Sequence, residues 1–181
     1  MIIFERNQRV AKAYARSPVL TINGSDAGFN GLNIGVNGFE NPKRDREVRD
    51  CKAAIGAGCK LKMTENGDIL IKRIGNGKVF IENILEEAAV SNDILKLKSG
   101  LLEPDIAMKL FDMKKFKQNM NRELKRLSPD RAKLEKQVIN HYCNSMGSLF
   151  VLLQRGTRFF LILKIKLLLY PYLSPPKNVL H

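Results

Sequence analysis

The feature that most constrains the fold is a series of short apolar runs, separated by glycine-containing turns, between residues 55 and 83. Asn66-Gly67 and Gly75-Asn76-Gly77 divide this segment, and tight turns between twisted strands favour such residues because their central positions need a positive φ. We therefore expect three consecutive strands joined as hairpins. One residue of each strand is expected to face a shared interior: Leu61, Ile71 and Phe80.

A phosphate-binding loop is the alternative interpretation of the glycines in this segment. Such a loop needs backbone N–H groups that point inward just ahead of a helix, whose N-terminus then faces the anion. The pattern after Gly56 and Gly58 is that of strands, and the chain has no Gly-Lys-Ser/Thr element. The glycines are therefore expected to bend strands and not to hold an anion.

Composition limits the possible classes of function. The chain has 181 residues, enough for one substantial core, and 31 Lys+Arg against 18 Asp+Glu give a net charge of +13. Acidic partners such as nucleic acid or anionic lipid must therefore be considered. Cys51, Cys59 and Cys143 lack zinc-type spacing, and His141 and His181 are the only histidines. We expect no metal, no cofactor, no small-molecule substrate and no catalytic set.

Two segments have helical spacing. In "PKRDREVRDCKAAIG", Pro42 fits a first helical turn and Gly56 an end, while Val48, Cys51 and Ile55 form the apolar stripe. Its basic residues are expected to face water: Arg44, Arg46, Arg49 and Lys52. A stronger stripe begins after Asp112 and consists of Met113, Phe116, Met120, Leu124 and Leu127.

A second helix is expected from Ser128 to Tyr142, antiparallel to the one before it, with Ser128 as N-cap and Pro129 in the first turn. The preceding helix is rich in lysine and arginine, which could neutralise phosphates. Aromatic stacking residues and a recognition helix are missing. A solvated face opposite a packed stripe is therefore the preferred interpretation, and we expect no direct nucleic-acid binding.

Several strings in order resemble the C-terminal domain of Smad proteins, the MAD homology 2 (MH2) domain. They are "IIFE" with "NQRVAKAY", "SPVLTINGSDAG", "REVRDCKAAIGAGCKLKMTENGDILIKRI", "KVFIEN", "ILKLKSG" and "KLFDMKKFKQNMNRELKR". The resemblance covers roughly residues 2–139. Residues 110–134 look most similar to invertebrate proteins in which this domain stands alone, of the Expansion and Rebuff type.

The resemblance implies a mainly β fold: a Smad/FHA-type antiparallel β-sandwich with a short loop-helix element and a helical hairpin, which is an incomplete three-helix bundle. "ILKLKSG" would be a strand. The implied function is a non-enzymatic protein–protein interaction module in signal transduction and regulation of transcription, downstream of transforming-growth-factor-β receptors. It would act inside the cell, in the cytoplasm, the nucleus or both.

In Smads the loop-helix end of one subunit packs on the bundle of the next to form trimers. By position, the loop-helix edge here would consist of Asn41, Lys43, Arg44, Arg46 and Arg49. The helical bundle face would consist of Lys114, Lys117, Arg122, Lys125 and Arg126. Two alternatives stay open: an intracellular regulator of epithelial and chitin organisation without a transcriptional role, and a basic binder of polyanions or membrane surfaces.

The last forty residues depart from the family pattern, because nothing after Val138 matches its final strands and the Ser-x-Ser tail is missing. We expect a domain at residues 1–143 and a divergent basic and apolar tail at 144–181. Charged residues interrupt the tail too often for a membrane span. Its clean apolar stretches, Leu149–Leu153 and Phe159–Leu163, are strand-sized. The tail is either a replacement strand or a sequence not shaped by this fold.

Overall fold

The computed structural model describes residues 1–6, 8–82, 91–126, 149–155 and 158–165. In chain order the strands are β1 (Ile2–Glu5), β2 (Gln8–Lys12), β3 (Val19–Asn23), β4 (Gly28–Phe29), β5 (Asn33–Gly35), β6 (Cys59–Met63), β7 (Ile69–Arg73), β8 (Lys78–Glu82), β9 (Ala107–Phe111), β10 (Leu149–Arg155) and β11 (Arg158–Ile165). The helices are α1 (Arg46–Ala53), α2 (Asn92–Leu95) and α3 (Met113–Arg126), with 3-10 turns at Val36–Gly38 and Lys98–Gly100.

The strands form two sheets that share one apolar interior. The first sheet has the order β2-β1-β11-β10-β8, and the second has the order β4-β5-β3-β6-β7-β9. Within these sheets β3 and β5 run parallel, and the other pairings are antiparallel. Buried residues of both sheets, including Ile3, Ile22, Ile71 and Ile81, belong to one cluster. The predicted mainly β sandwich is confirmed.

The three strands expected between residues 55 and 83 are present, but only the first two form a hairpin. β6 and β7 pair across the Asn66-Gly67 turn, where Gly67 has a φ of +82°. β8 instead pairs with β10 in the other sheet, so the prediction of a second hairpin is wrong. The Arg73 side chain holds the crossing segment, because it donates to the carbonyl oxygens of Gly75 and Asn76 at 3.0 Å each.

The expected interior residues are correct for two of these strands. Leu61 and Ile71 are buried in the shared cluster. In β8, however, Val79 and Ile81 are buried, whereas Phe80 is half-buried and outside the cluster. Because side chains alternate between the two faces of a strand, the predicted phase of β8 was wrong by one residue.

The helices agree with the sequence in kind and differ in their limits. α1 begins at Arg46 and not near Pro42, because the Asp45 carboxylate accepts from the Val48 N–H at 2.8 Å and caps the helix. "ILKLKSG" (residues 94–100), where the resemblance implied a strand, instead holds the end of the short helix α2 and the 3-10 turn at Lys98–Gly100. α3 starts where expected, capped by Asp112, with Met113 and Phe116 buried. The helix expected over 128–142 lies outside the described residues.

Two strands of the predicted tail lie in the middle of the first sheet. β10 and β11 pair with each other, and they connect β8 on one side to β1 on the other. Their limits include the two strand-sized stretches expected from the sequence. The division of the chain at residue 143 stays a prediction.

Candidate functional site

The loop-helix edge begins where β5 ends. The chain makes the 3-10 turn at Val36–Gly38, passes through a loop and enters α1, which lies against β10 and β11 of the first sheet. Val48 and Cys51 of α1 are buried, as their spacing predicts. The loop is held by side-chain contacts to the strand β1, which is far from it in sequence.

The centre of these contacts is the carboxylate of Glu5, whose side chain is 1% exposed. Arg44 donates to both carboxylate oxygens, with Nη2 at 2.8 Å from Oε1 and Nε at 3.0 Å from Oε2. Lys52 donates to Oε1 at 2.6 Å and Asn41 to Oε2 at 2.6 Å. Arg44 also donates to the Phe39 carbonyl oxygen. We call Glu5, Asn41, Arg44 and Lys52 the Glu5 cluster.

The ionisation of the Glu5 cluster follows from its burial. Burial by itself raises the pKa of the Glu5 carboxyl, but hydrogen bonds from Arg44, Lys52 and Asn41 outweigh it, so this pKa lies below its ordinary value. Burial lowers the pKa of the Lys52 ammonium, and its attraction to Glu5 only partly opposes that effect. The cluster therefore contains one carboxylate and two cations, of which Lys52 is the more costly to bury.

A second, exposed set of charges connects the β1–β2 turn to the start of α1. Arg6 lies 2.8 Å from the Asp45 carboxylate and 2.8 Å from that of Glu47. A surface cleft of about 380 Å³ lies between the β1–β2 turn and the loop that precedes α1. Its lining includes Glu5, Arg6, Gln8, Asn41, Lys43 and Arg44. The strand and the loop thus form one continuous surface.

The bundle face follows β9, at the opposite edge of the second sheet from β4 and β5. Lys114 and Lys117 of α3 are exposed, whereas Lys115 donates to the Asn92 side chain at 2.7 Å. The side chains of Arg122, Lys125 and Arg126 lie outside the described part of the structure. The loop-helix edge and the bundle face therefore begin at opposite sides of the second sheet, one after β5 and the other after β9.

The family model of the MH2 domain matches residues 1–153 of the chain. The chain belongs to the MH2 domain family. Domains of this family are protein-interaction modules. The ordered motifs of the sequence are therefore confirmed as those of an MH2 domain, and the match continues into β10. No curated protein sequence matches the chain.

Two solved structures show the same fold at low sequence identity. This MH2 domain is similar to the IAD domain of interferon regulatory factor 9, with a TM-score of 0.50 and 14% identity, over 71% of this chain and 63% of that one. It is also similar to a chain in the crystal structure of STAT2 in complex with IRF9, with a TM-score of 0.57 and 12% identity. That match covers 89% of this chain and 84% of the other. This chain thus spans less than two thirds of the IAD domain.

The residues that were predicted for the loop-helix edge of this MH2 domain fall into an exposed group and a partly buried group. Lys43, Arg46 and Arg49 are exposed and available to a partner. Asn41 and Arg44 contact Glu5 and shape the edge from inside. Lys52, expected to face water, is buried. The prediction that Lys52 faces water is wrong, because Lys52 follows Val48 by four residues and so shares the buried face of α1.

Glu5 is a residue of the candidate site that was not predicted from the sequence, although a signal was present. It follows Ile3 by two residues in a strand, so both side chains face the interior. A carboxylate at an inward position needs cationic partners. Its partners could not be identified from the sequence, because Arg44 is 39 residues away and Lys52 is 47 residues away.

Among the described residues, no group of three or more His, Cys, Asp or Glu side chains is placed to hold a metal ion. Within the same residues, no helix has the length and apolar character that crossing a membrane requires. Cys59 is fully buried, and burial raises the pKa of its thiol to about 12, which leaves it unreactive in the folded protein.

Proposed function

We propose that this MH2 domain is a non-enzymatic protein–protein interaction module of intracellular signalling and regulation of transcription, working in the cytoplasm, the nucleus or both. The observation that carries the proposal is the loop-helix edge. The Glu5 cluster holds its loop against β1 from inside, so Lys43, Arg46 and Arg49 project from a preorganised surface. Preorganisation lowers the entropy cost of binding. The STAT2–IRF9 structure, in which this fold occurs within a protein complex, supports the proposal.

The relative positions of the two surfaces support head-to-tail assembly. The loop-helix edge follows β5 and the bundle face follows β9, at opposite edges of the second sheet. A contact between two different patches is heterologous, and it closes into a ring when the rotation per subunit allows. We propose a trimer, in line with the family resemblance.

Sedimentation velocity over a range of protein concentrations tests this assembly. The double variant Arg46→Glu and Arg49→Glu should weaken association, because it reverses two exposed charges without touching the Glu5 cluster. Arg44 is left intact, since its replacement would disturb the fold. The matched control is Lys60→Glu with Lys62→Glu, two exposed cations on β6. A monomer at all concentrations, or equal loss of association in both double variants, would contradict the proposed edge.

A second candidate function rests on the charge of the chain. The net charge of +13 and the exposed lysines of α3 favour a binder of polyanions or anionic membrane surfaces. Its affinity for a polyanion should fall steeply between low and moderate salt, because bound counterions are released. A flat salt response would therefore remove this second candidate.

A further inference from the structure

The outer face of the second sheet carries a group of lysines that the loop-helix edge and the bundle face leave unused. In β6 the buried residues Cys59 and Leu61 alternate with the exposed Lys60 and Lys62. Because successive side chains of a strand point to opposite faces, both lysines project from the outer face of the sheet. The register places Lys72 of β7 directly opposite Lys60. We call Lys60, Lys62 and Lys72 the lysine patch.

Two of these lysines form an unfavourable cross-strand pair. Residues directly opposite each other in an antiparallel pair are close neighbours, and like charges at such positions destabilise the sheet. Lys72 has an acidic partner, Asp105 at 3.1 Å, but the two side chains are 42% and 69% exposed, so this ion pair contributes little. Among the described residues, no acidic side chain forms an ion pair with Lys60 or Lys62. An anion bound at the lysine patch would relieve this repulsion.

A fourth lysine on the same face shows the contrast. Lys109 of β9 lies two strands away from Lys62, with Leu70 of β7 between them. Its ammonium lies 2.9 Å from the Asp68 carboxylate and 3.2 Å from that of Asp112, so its charge is used within the fold. The exposed lysines of β6 have no such partner among the described residues, so their charge is available to a ligand.

Uncharged side chains flank the lysine patch. Thr21 of β3 lies opposite Lys60, while Val19 of β3 and Leu70 of β7 lie on either side of Lys62. These three flanking residues are partly exposed. The face therefore presents ammonium groups, a hydroxyl and apolar side chains on one sheet surface. Such a surface matches the interface of a bilayer, where anionic headgroups lie above apolar chains.

We propose that the lysine patch is a docking site for a membrane surface that contains phosphoinositides with two adjacent phosphate groups. Lys60 and Lys72 extend from neighbouring positions and meet the two phosphates of one headgroup. Lys62 adds attraction to the anionic bilayer, and Val19 and Leu70 contact its interfacial region. This proposal rests on the second candidate function and deepens it, but it places the binding on β6 and β7 and not on α3.

Two other occupants fit the lysine patch less well. A nucleic acid would satisfy the charges, but none of the residues opposite the patch in β3 and β7 is an aromatic side chain on which a base could stack. An acidic peptide could not add as a strand here, because β6 is already paired on both sides, with β3 and with β7. A plane of phosphate groups satisfies the charges without stacking or strand pairing.

The test is co-sedimentation of the full chain with vesicles of three compositions. They contain phosphatidylcholine alone, phosphatidylcholine with phosphatidylserine, or phosphatidylcholine with a phosphatidylinositol bisphosphate whose phosphates are adjacent, the last two at equal surface charge. We expect the bisphosphate vesicles to bind roughly fivefold more tightly than the phosphatidylserine vesicles, since paired phosphates accept stronger charge-assisted hydrogen bonds from two ammonium groups. Soluble inositol trisphosphate, equimolar with the lipid headgroup, should displace little of the protein, because it lacks the bilayer.

Variants of the protein locate the binding. Lys60→Gln with Lys62→Gln removes two charges of the lysine patch and should weaken binding to the bisphosphate vesicles roughly 25-fold, about fivefold for each lysine near an anionic membrane. The matched control is Lys114→Gln with Lys117→Gln, which removes two exposed charges of α3. This control should weaken binding only about twofold, through the change in net charge. Circular dichroism checks that both double variants fold.

The proposal is overturned if both double variants lose affinity equally, or if the α3 variant loses more; the second candidate function would then stand without this site. It is also overturned if the phosphatidylserine vesicles bind equally well, because charge density alone would then explain the binding. Full displacement by inositol trisphosphate would assign the patch to a free inositol phosphate and refute membrane docking. If no anionic vesicle binds, membrane binding fails for both the patch and the second candidate.

Discussion

Replacing Glu5 by glutamine tests whether the Glu5 cluster stabilises the fold. The change keeps the size of the side chain and removes the charge that Arg44 and Lys52 share. At 2.6 Å and an effective dielectric constant near 20, the attraction between Lys52 and Glu5 is about 6 kcal/mol before the cost of desolvation. The Lys52 side chain is only 2% exposed, so water cannot replace the lost partner.

The expected loss in the free energy of unfolding is about 3–5 kcal/mol, which is typical when one member of a buried ion pair is removed. The converse change, Lys52→Met, should cost under about 1 kcal/mol. Methionine has a similar length, Arg44 still neutralises Glu5, and the lowered pKa of Lys52 indicates that burial outweighs its attraction to Glu5. Replacing Glu5 is thus expected to lower the free energy of unfolding several times more than replacing its partner Lys52.

Urea unfolding followed by circular dichroism gives these free energies. The control is Lys72→Met, which removes an exposed ion pair with Asp105 at 3.1 Å and should cost at most about 1 kcal/mol. If Glu5→Gln cost no more than Lys72→Met, the cluster would not hold the loop, and the argument for a preorganised edge would fail. If Glu5→Gln did not fold at all, the near-neutral effect expected for Lys52→Met would still test the reasoning.

Three further predictions follow from the same structure. Gly58→Ala should destabilise the fold by roughly 1–3 kcal/mol more than Gly28→Ala in urea unfolding, because both glycines have a φ above +60° but only a Cβ at Gly58 would overlap the Ile22 carbonyl oxygen; equal losses would disprove the overlap. The free energy of unfolding should fall as the pH drops below 4.5, the ordinary pKa of Glu5, and should continue to fall through the lower pKa that Glu5 has in the folded protein. If the free energy of unfolding of a Glu5→Gln variant fell just as steeply with decreasing pH, other carboxyls would be responsible. At mildly alkaline pH, Cys59 should react with iodoacetamide only as fast as the chain unfolds, since its thiol is buried and its pKa is about 12; mass spectrometry of the peptide would reveal any faster labelling.

The sequence allowed the strands and helices to be located because their signals are local. The Asn66-Gly67 turn, the apolar positions of β6 and β7, and the stripe of α3 each depend on residues within a few positions of one another. The start of α1 was misplaced although its N-cap, Asp45, is a typical one, because Pro42 offered a competing start. The ordered motifs also identified the family, and the family implied the sandwich.

Pairings between distant segments could not be derived in this way. The glycines at 75 and 77 are equally compatible with a hairpin and with a crossing to the other sheet, and only the position of β10 decides that β8 joins the first sheet. The phase of β8 depends on the same choice, since a shift of one residue exchanges Phe80 for Val79 and Ile81 at the interior. The apolar residues at 94–97 are compatible with a strand, and nothing local indicated that the chain would form the short helix α2 there.

The sequence by itself determined that this chain is a basic, mainly β domain with amphipathic helices, because charge, turn residues and periodicity are properties of neighbouring positions. The tertiary structure decided which charges are available to a partner. Arg44 and Lys52 look no different in the sequence from Arg46 and Arg49, but Glu5 of a distant strand comes close to them in the fold and removes them from the surface. The physical reason is that burial of a carboxylate must be compensated by whichever cations the fold brings within hydrogen-bonding distance.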